Sequence, residues 1–129
     1  MKIKSIDHIV LTVSDISQTC RFYTQILGME EITFLNNRKA LKFGSQKINL
    51  HLKGHEYNPK AKQPTPGSTD ICFMVETSIH EVINRLRKYG IPIEEGPVER
   101  TGAQGALISI YIRDPDGNLL ELSNIKEAS

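Results

Sequence analysis

Short β-branched runs and longer stretches with a helical period alternate along the chain, and their order occurs twice. In the first copy, the apolar run Ser5–Val13 is typical of a buried strand. Asp15 and Gln18 then form a capping-box pattern, and an apolar stripe with helical spacing extends to Gly28, a common residue at a helix end. Three strand-like runs follow: Glu30–Leu35, Lys39–Phe43 and Lys47–Leu52.

The second copy has the same order of signals. Thr69–Val75 reads as a strand, Ser78 with Glu81 is a capping box, and a helical stripe stops at Gly90. Three strand-like runs again follow: Pro92–Glu95, Leu107–Ile112 and Leu119–Ser123. The segment between the copies, Asn58–Gly67, contains three prolines and is typical of a linker.

This repetition predicts an α+β fold built from two tandem βαβββ modules. We expect a curved mixed sheet around a pocket, with the helices on its outer face. The length of 129 residues suits one domain. We therefore predict a single domain over residues 1–129, with module one at 1–57, a linker at 58–66 and module two at 67–129.

Internal duplication brings equivalent positions together near a pseudo-twofold axis. Alignment of the two modules on the apolar residues of their strands places His8 opposite Asp70 and His51 opposite Glu121. Successive side chains of a strand point to opposite faces, and all four ionisable groups lie opposite the wholly apolar set. We therefore expect them to face the pocket, away from the helices.

Two imidazoles and one carboxylate, from His8, His51 and Glu121, form a set that binds a divalent ion and leaves positions open for substrate or water. Asp70 is then a fourth ligand, a general base, or an acceptor that orients an imidazole. The sequence thus predicts His8, His51, Asp70 and Glu121 as metal ligands and Asp70 and Glu121 as catalytic groups. The alternative is a hydrogen-bonded polar cluster in a metal-free binding cup.

Composition excludes some partners. The net charge of +1 argues against nucleic acid or an anionic membrane as the main partner. No apolar run approaches the roughly 20 residues of a membrane span, and the N-terminus lacks the apolar core of a signal peptide. Cys20 and Cys72 lie in apolar surroundings, which predicts buried, reduced thiols and a cytoplasmic location.

Other polar residues are open to more than one interpretation. Arg38 is either an anchor for an anionic substrate group or a solvated side chain. The segment Gly102–Gly105 is a mobile lid, a loop that contacts an anion, or a plain flexible connection. His55 and His80 are expected at the surface.

Three segments resemble the vicinal oxygen chelate superfamily, which includes glyoxalase I, fosfomycin-resistance proteins, extradiol dioxygenases and bleomycin-binding proteins. They are Asp7–Val13, Phe22–Met29 and Arg113–Leu122, and the resemblance extends over essentially the whole chain. Residues Pro92–Ala103 are similar to the glyoxalase-domain-containing protein 5 group and its bacterial relatives, some of which are labelled virulence proteins.

The resemblance implies four metal ligands at the positions of His8, His51, Asp70 and Glu121. Glyoxalase I typically has Glu where this chain has His51, and the fosfomycin enzymes and dioxygenases typically have His where it has Asp70. We therefore expect an enzyme of lyase or isomerase type that uses one divalent ion (Zn, Ni, Mn or Fe) to chelate vicinal oxygens of a small substrate. An Fe(II)-dependent dioxygenase and a metal-free drug- or metabolite-binding protein are the alternatives.

Open sheet edges need to be covered, and members of this superfamily commonly pair two chains. We accordingly expect a homodimer. Exchange of modules between the chains would combine His8 and His51 of one chain with Asp70 and Glu121 of the other.

Overall fold

The order strand, helix, three strands occurs twice, as the sequence predicts. A computed structural model describes residues 1–127 and divides the chain into two compact units, Met1–Ser68 and Thr69 onwards. The first unit contains β1 (His8–Val13), α1 (Ile16–Gln25), β2 (Glu30–Phe34), β3 (Arg38–Phe43) and β4 (Gln46–Leu52). The second contains β5 (Asp70–Met74), α2 (Ile79–Lys88), β6 (Glu95–Gly102), β7 (Gly105–Arg113) and β8 (Leu119–Ile125).

Each unit forms its own four-stranded mixed sheet. The strand orders are β1-β4-β3-β2 and β5-β8-β7-β6, so the two units have the same topology. The first and last strands of each unit pair in parallel, and the other neighbours are antiparallel. This arrangement confirms the predicted α+β fold of two βαβββ modules.

Both helices begin at the predicted caps. The side chain of Asp15 accepts a hydrogen bond from the backbone N–H of Gln18 at 2.8 Å, and Ser78 accepts one from that of Glu81 at 3.3 Å. These bonds satisfy backbone donors that a helix leaves unpaired in its first turn. Within residues 1–127 no helix is long and apolar enough to cross a membrane.

One face of each sheet packs on a helix, and the other carries both exposed and buried side chains. In β1, Leu11 and Val13 are buried while Val10 is 48% exposed, and in β5, Phe73 is buried while Met74 is 53% exposed. The buried side chains of α1 and α2 pack on the sheets of their own units. The predicted alternation therefore holds, and we call the sheet side away from the helix the open face.

The strand β6 differs from its prediction. The sequence predicts a strand over Pro92–Glu95, but the strand spans Glu95–Gly102 and its register shifts between Glu95 and Val98. At this irregularity Gly96 has φ +105°, and a Cβ there would lie 2.4 Å from the carbonyl oxygen of Ser109. Only glycine fits so close to β7. The pairing is therefore set by contact with β7, which local propensity does not encode.

The segment Gly102–Gly105 is a tight hairpin between β6 and β7. Gly102 and Gly105 are paired across the turn, which leaves only Ala103 and Gln104 in the loop. Of the interpretations left open by the sequence, this geometry favours the plain connection, because the ladder between β6 and β7 continues up to the two-residue turn.

A buried polar clasp joins the start of β5 to the turn before β8. The side chain of Asn118, fully buried, donates to Asp114 Oδ2 at 2.8 Å and accepts from the backbone N–H of Thr69 at 2.8 Å. Its own backbone N–H donates to Asp114 Oδ1 at 2.9 Å. The clasp sets where β5 begins to pair with β8.

Replacement of Asn118 by Ala should lower the free energy of unfolding by about 3 kcal/mol, since it leaves the partly buried N–H of Thr69 and a buried carboxylate oxygen of Asp114 without this partner. Urea denaturation measures the change. Asn84→Ala, at an exposed position of α2, is the control and should change stability by less than about 0.5 kcal/mol. Equal effects of the two substitutions would contradict a structural role for the clasp.

Candidate functional site

The open face of the first sheet holds a group of polar side chains close to the parallel pair β1–β4. Opposite residues of this pair include His8 with Lys47, Val10 with Asn49 and Thr12 with His51. Side chains at even positions of β1 therefore share a face with those at odd positions of β4. His51 and Thr12 are buried on this face, whereas the side chain of His8 is 44% exposed.

The open face of the second sheet repeats the arrangement with different residues. Here Asp70 lies opposite Leu119, Cys72 opposite Glu121 and Met74 opposite Ser123. Asp70 and Glu121 are diagonal neighbours on one face of the parallel pair β5–β8.

These registers correct one alignment made from the sequence. His8 and Asp70 occupy equivalent positions at the starts of β1 and β5. His8 pairs with Lys47, and Asn49 lies two residues further along β4. Asp70 pairs with Leu119, and Glu121 lies two residues further along β8. Asn49, and not His51, is therefore the equivalent of Glu121, and His51 corresponds to Ser123. The alignment of β4 with β8 was wrong by two residues. A shift of two residues along a strand keeps every side chain on the same face, so the alternation of apolar residues cannot reveal the error.

The separation of the two histidines follows from the same register. His51 lies opposite Thr12, four residues along the strand from His8, which is about 13 Å at the rise of a β-strand. Asn49 is a diagonal neighbour of His8. In the first sheet, His8 therefore lies closer to Asn49 than to His51. The role of His51 as a metal ligand stays a prediction.

His8 is held by its neighbour in sequence. Its Nδ1 lies 2.8 Å from Asp7 Oδ1. A carboxylate on one ring nitrogen fixes the tautomer and leaves Nε2 as a lone-pair donor, the arrangement usual for metal-binding histidines.

Glu121 is held by hydroxyl groups. Its Oε2 accepts from Ser109 Oγ at 2.7 Å and from Ser123 Oγ at 3.3 Å, and the two serine oxygens lie 2.6 Å apart. Both serines are fully buried. The carboxylate is thus fixed in place while its side chain remains on the open face.

A phenol completes the surroundings of Glu121. Tyr111 lies directly opposite Glu121 in the sheet, and its hydroxyl accepts from Arg100 Nε at 3.0 Å. Burial raises the pKa of Tyr111, the hydrogen bond from Arg100 opposes this, and the charge of Glu121 raises it further. Tyr111 therefore stays a protonated phenol beside the carboxylate at neutral pH.

The cysteines occupy two different environments. Cys20 is buried in α1, and burial with the nearby Glu31 raises its pKa to about 12. Cys72 is exposed on the open face, where its Sγ lies 3.3 Å from Ser123 Oγ, so its predicted burial is wrong. Partial desolvation of the sulfur, together with the charge of Glu121, nevertheless raises the pKa of Cys72 as well, and the thiol stays protonated.

His51 belongs to an aromatic and cationic cluster. Its ring meets that of Tyr57 edge-on, with centroids 5.4 Å apart, and the guanidinium carbon of Arg38 lies 3.5 Å from the centroid of Tyr57. Burial lowers the pKa of His51, and the charge of Arg38 lowers it further. The imidazole is therefore neutral at pH 7. His55 and His80 are exposed.

Sequence reasoning missed Asn49 and Tyr57. Oδ1 of Asn49 is buried and lacks a hydrogen-bond partner among the described residues. Strand alternation places Asn49 on the same face as His51, and this pattern could have identified Asn49 as a candidate. Tyr57 lies in the loop after β4, and the course of that loop does not follow from local sequence patterns. Within residues 1–127, no group of three His, Cys, Asp or Glu side chains is close enough to hold one metal ion.

Comparison with known proteins places this topology in a family. Residues 5–122 match the model of the glyoxalase/bleomycin resistance protein/dioxygenase superfamily. The chain belongs to this superfamily.

Among other members, the virulence protein STM3117 of Salmonella typhimurium is 61% identical over 95% of this chain and 85% of that protein. Its crystal structure matches with a TM-score of 0.96, covering 98% of this chain and 100% of the other. The glyoxalase domain-containing protein RDO1 of Mycosarcoma maydis is 52% identical over 99% of this chain and 72% of its own length. The metallothiol transferase FosB of Shouchella clausii is 30% identical over 93% of this chain and 80% of its own.

Members of the superfamily commonly use divalent metal ions, and each unit carries donor groups of a type that such ions bind. His8 offers a nitrogen whose ring is oriented by Asp7, and Glu121 offers a carboxylate oriented by serines. The buried oxygen of Asn49 has an unused lone pair facing the same side as His8. Nitrogen and oxygen donors of this kind suit Zn, Ni, Mn or Fe.

The state of His51 predicts a pH effect. Because folding lowers the pKa of this imidazole, its contribution to stability is fully present above the unfolded-state value near 6.5 and is lost as the pH falls towards the folded-state pKa. Urea unfolding at pH 7.5 and 5.5 should therefore show a smaller loss of stability on acidification for His51→Gln than for the wild type. His80→Gln, at an exposed site, should match the wild type; an unchanged loss in His51→Gln would contradict the prediction.

Proposed function

We propose that this protein is a metal-dependent enzyme that acts on a small substrate through two neighbouring oxygen atoms, by lyase or isomerase chemistry. One observation carries the proposal. In both modules, an oxygen-bearing side chain on the last strand (β4 or β8) lies diagonally beside a potential metal ligand on the first strand (β1 or β5). These pairs are His8 with Asn49 and Asp70 with Glu121.

The proposed ligands are His8, Asp70 and Glu121 together with one group from β4. The sequence pattern names His51 for this position, and the register favours Asn49. A bound divalent ion would act as a Lewis acid and stabilise negative charge that develops on the substrate oxygens.

The side chains around the site support proton transfer at the carboxylates. Glu121 is fixed through Oε2 by Ser109, so its orientation is set before a substrate arrives. Tyr111 beside it remains protonated, and its phenol is able to donate a hydrogen bond. In this proposal Glu121 or Asp70 removes and returns a proton, and Tyr111 positions Glu121.

Titration of metal-free protein with Zn²⁺, Ni²⁺, Mn²⁺ and Fe²⁺, followed by calorimetry and elemental analysis, tests the ligand set. We expect one ion per chain. Asp7→Asn should weaken binding by about 10- to 100-fold, since it removes the partner that orients a ligand, and His8→Ala should weaken it further. His80→Ala is the matched control and should bind as the wild type does.

The same titration separates the two candidates on β4. If the register identifies the ligand, Asn49→Ala weakens binding and His51→Ala does not; the reverse result would restore the set drawn from the sequence. Absence of binding to wild-type protein would overturn the metal-dependent function and leave a metal-free binding protein. Turnover of a catechol with O₂ by the Fe²⁺ form, without turnover of 2-oxoaldehydes or epoxides, would identify a dioxygenase.

We further propose a homodimer in the cytoplasm. Light scattering after size exclusion should give twice the mass of one chain at micromolar concentration, and a monomer would contradict this. Mixed dimers of His8→Ala and Glu121→Ala chains test module exchange. Exchange would leave one intact ligand set per mixed dimer and restore metal binding, whereas unexchanged dimers would have a defect in every site.

A further inference from the structure

A stacked guanidinium lies on the open face of the first sheet, outside the proposed ligand set. Arg38 is the first residue of β3. Because Ala40 pairs with Asn49 and the two strands are antiparallel, Arg38 lies opposite His51 of β4. Tyr57, in the loop after β4, brings its ring under the guanidinium at 3.5 Å and against His51 at 5.4 Å. The loop after β4 therefore supports a side chain that starts on β3.

The charge of Arg38 is not compensated. Among residues 1–127 no carboxylate lies within ion-pair distance of its guanidinium, whereas Arg100 pairs with Glu95 and Arg113 with Glu94. The nearby carboxylate of Glu56 is occupied, because it accepts from the backbone N–H of Gly54 and pairs with Lys60 at 3.4 Å. One net positive charge thus remains beside the buried imidazole of His51.

The stacking geometry suits recognition of a flat anion. A ring covers one face of the guanidinium, while all five N–H donors lie in the plane of the group and stay available at its edge. Because Tyr57 already restricts the Arg38 side chain, less conformational freedom is lost when a ligand binds. A carboxylate matches two parallel N–H donors, and such charge-assisted pairs are about twice as strong as neutral hydrogen bonds.

We propose that Arg38, stacked on Tyr57, is a subsite that binds the carboxylate group of a small-molecule substrate. This inference deepens the proposed function, on which it rests, by naming its substrate class as a carboxylic acid. A monoanion is favoured over a phosphate dianion because the subsite has a single uncompensated charge and Glu56 lies close by. Tyr57 is a positioning residue that holds the guanidinium.

The test uses metal-free ¹⁵N-labelled protein in EDTA, so that it does not depend on metal binding. The Arg38 Nε–Hε resonance is followed by NMR during titration with lactate, acetate or inorganic phosphate at constant ionic strength. We expect a saturable shift with lactate and acetate and weaker binding of phosphate. Arg38→Gln, followed through the Tyr57 and His51 ring resonances, should reduce the affinity for lactate at least about tenfold, and Arg38→Lys should restore part of it.

Matched variants separate the subsite from a general charge effect. Arg85 lies over Tyr89 at 5.2 Å on the second unit, and Arg85→Gln removes the same charge and should leave lactate binding unchanged. Tyr57→Phe should retain binding and Tyr57→Leu should weaken it, because only the ring face is required.

Lactate affinity that is equal in the wild type and Arg38→Gln, with the variant's fold confirmed by its spectrum, would overturn the proposal. Tighter binding of phosphate than of lactate would also overturn it, in favour of a phosphate subsite. Because no metal is present, a failure of metal binding leaves this result unaffected, and a failed carboxylate subsite leaves the metal titration intact.

Discussion

The parallel pairing of the first and last strands in each module is the constraint on which the rest of the structure depends. It fixes which residues of β1 and β4, and of β5 and β8, lie side by side. Since side chains alternate between faces, this register also decides which groups share the open face. The helix packs on the opposite face of each sheet through buried apolar side chains, so His8, Asn49, Asp70 and Glu121 lie on the side away from it.

Buried polar groups on the second unit serve two purposes. Asn118 and Asp114 form a clasp that sets where β5 starts, and Ser109 and Ser123 hold the carboxylate of Glu121. Burial of a hydroxyl or an amide is costly unless it is hydrogen-bonded, so each of these groups is tied to a definite partner. The first arrangement positions a strand and the second orients a potential ligand, which links the folding of this unit to its chemistry.

The two modules share a topology and have diverged in the residues of their open faces. The second module presents carboxylates supported by hydroxyl groups, and the first presents His8, an amide and the Arg38–Tyr57–His51 cluster. The proposed metal chemistry uses the carboxylates of the second module together with His8 and one group of β4 from the first. The proposed carboxylate subsite uses the Arg38 cation of the first module. Such a division, with a Lewis acid at the reacting oxygens and a cation on a remote group, is an efficient way to orient a small acid.

The sequence by itself determined the duplication, the two helices with their caps, most strands, and the faces on which His8, Asp70 and Glu121 lie. These features follow from local rules, namely apolar periodicity, capping boxes and strand alternation. The tertiary structure alone decided that Asn49 corresponds to Glu121, that β6 pairs over Glu95–Gly102, and that Tyr57 supports Arg38. The reason is that alternation fixes a face and leaves a shift of two residues free, and that strand pairing and loop contacts join residues far apart in sequence.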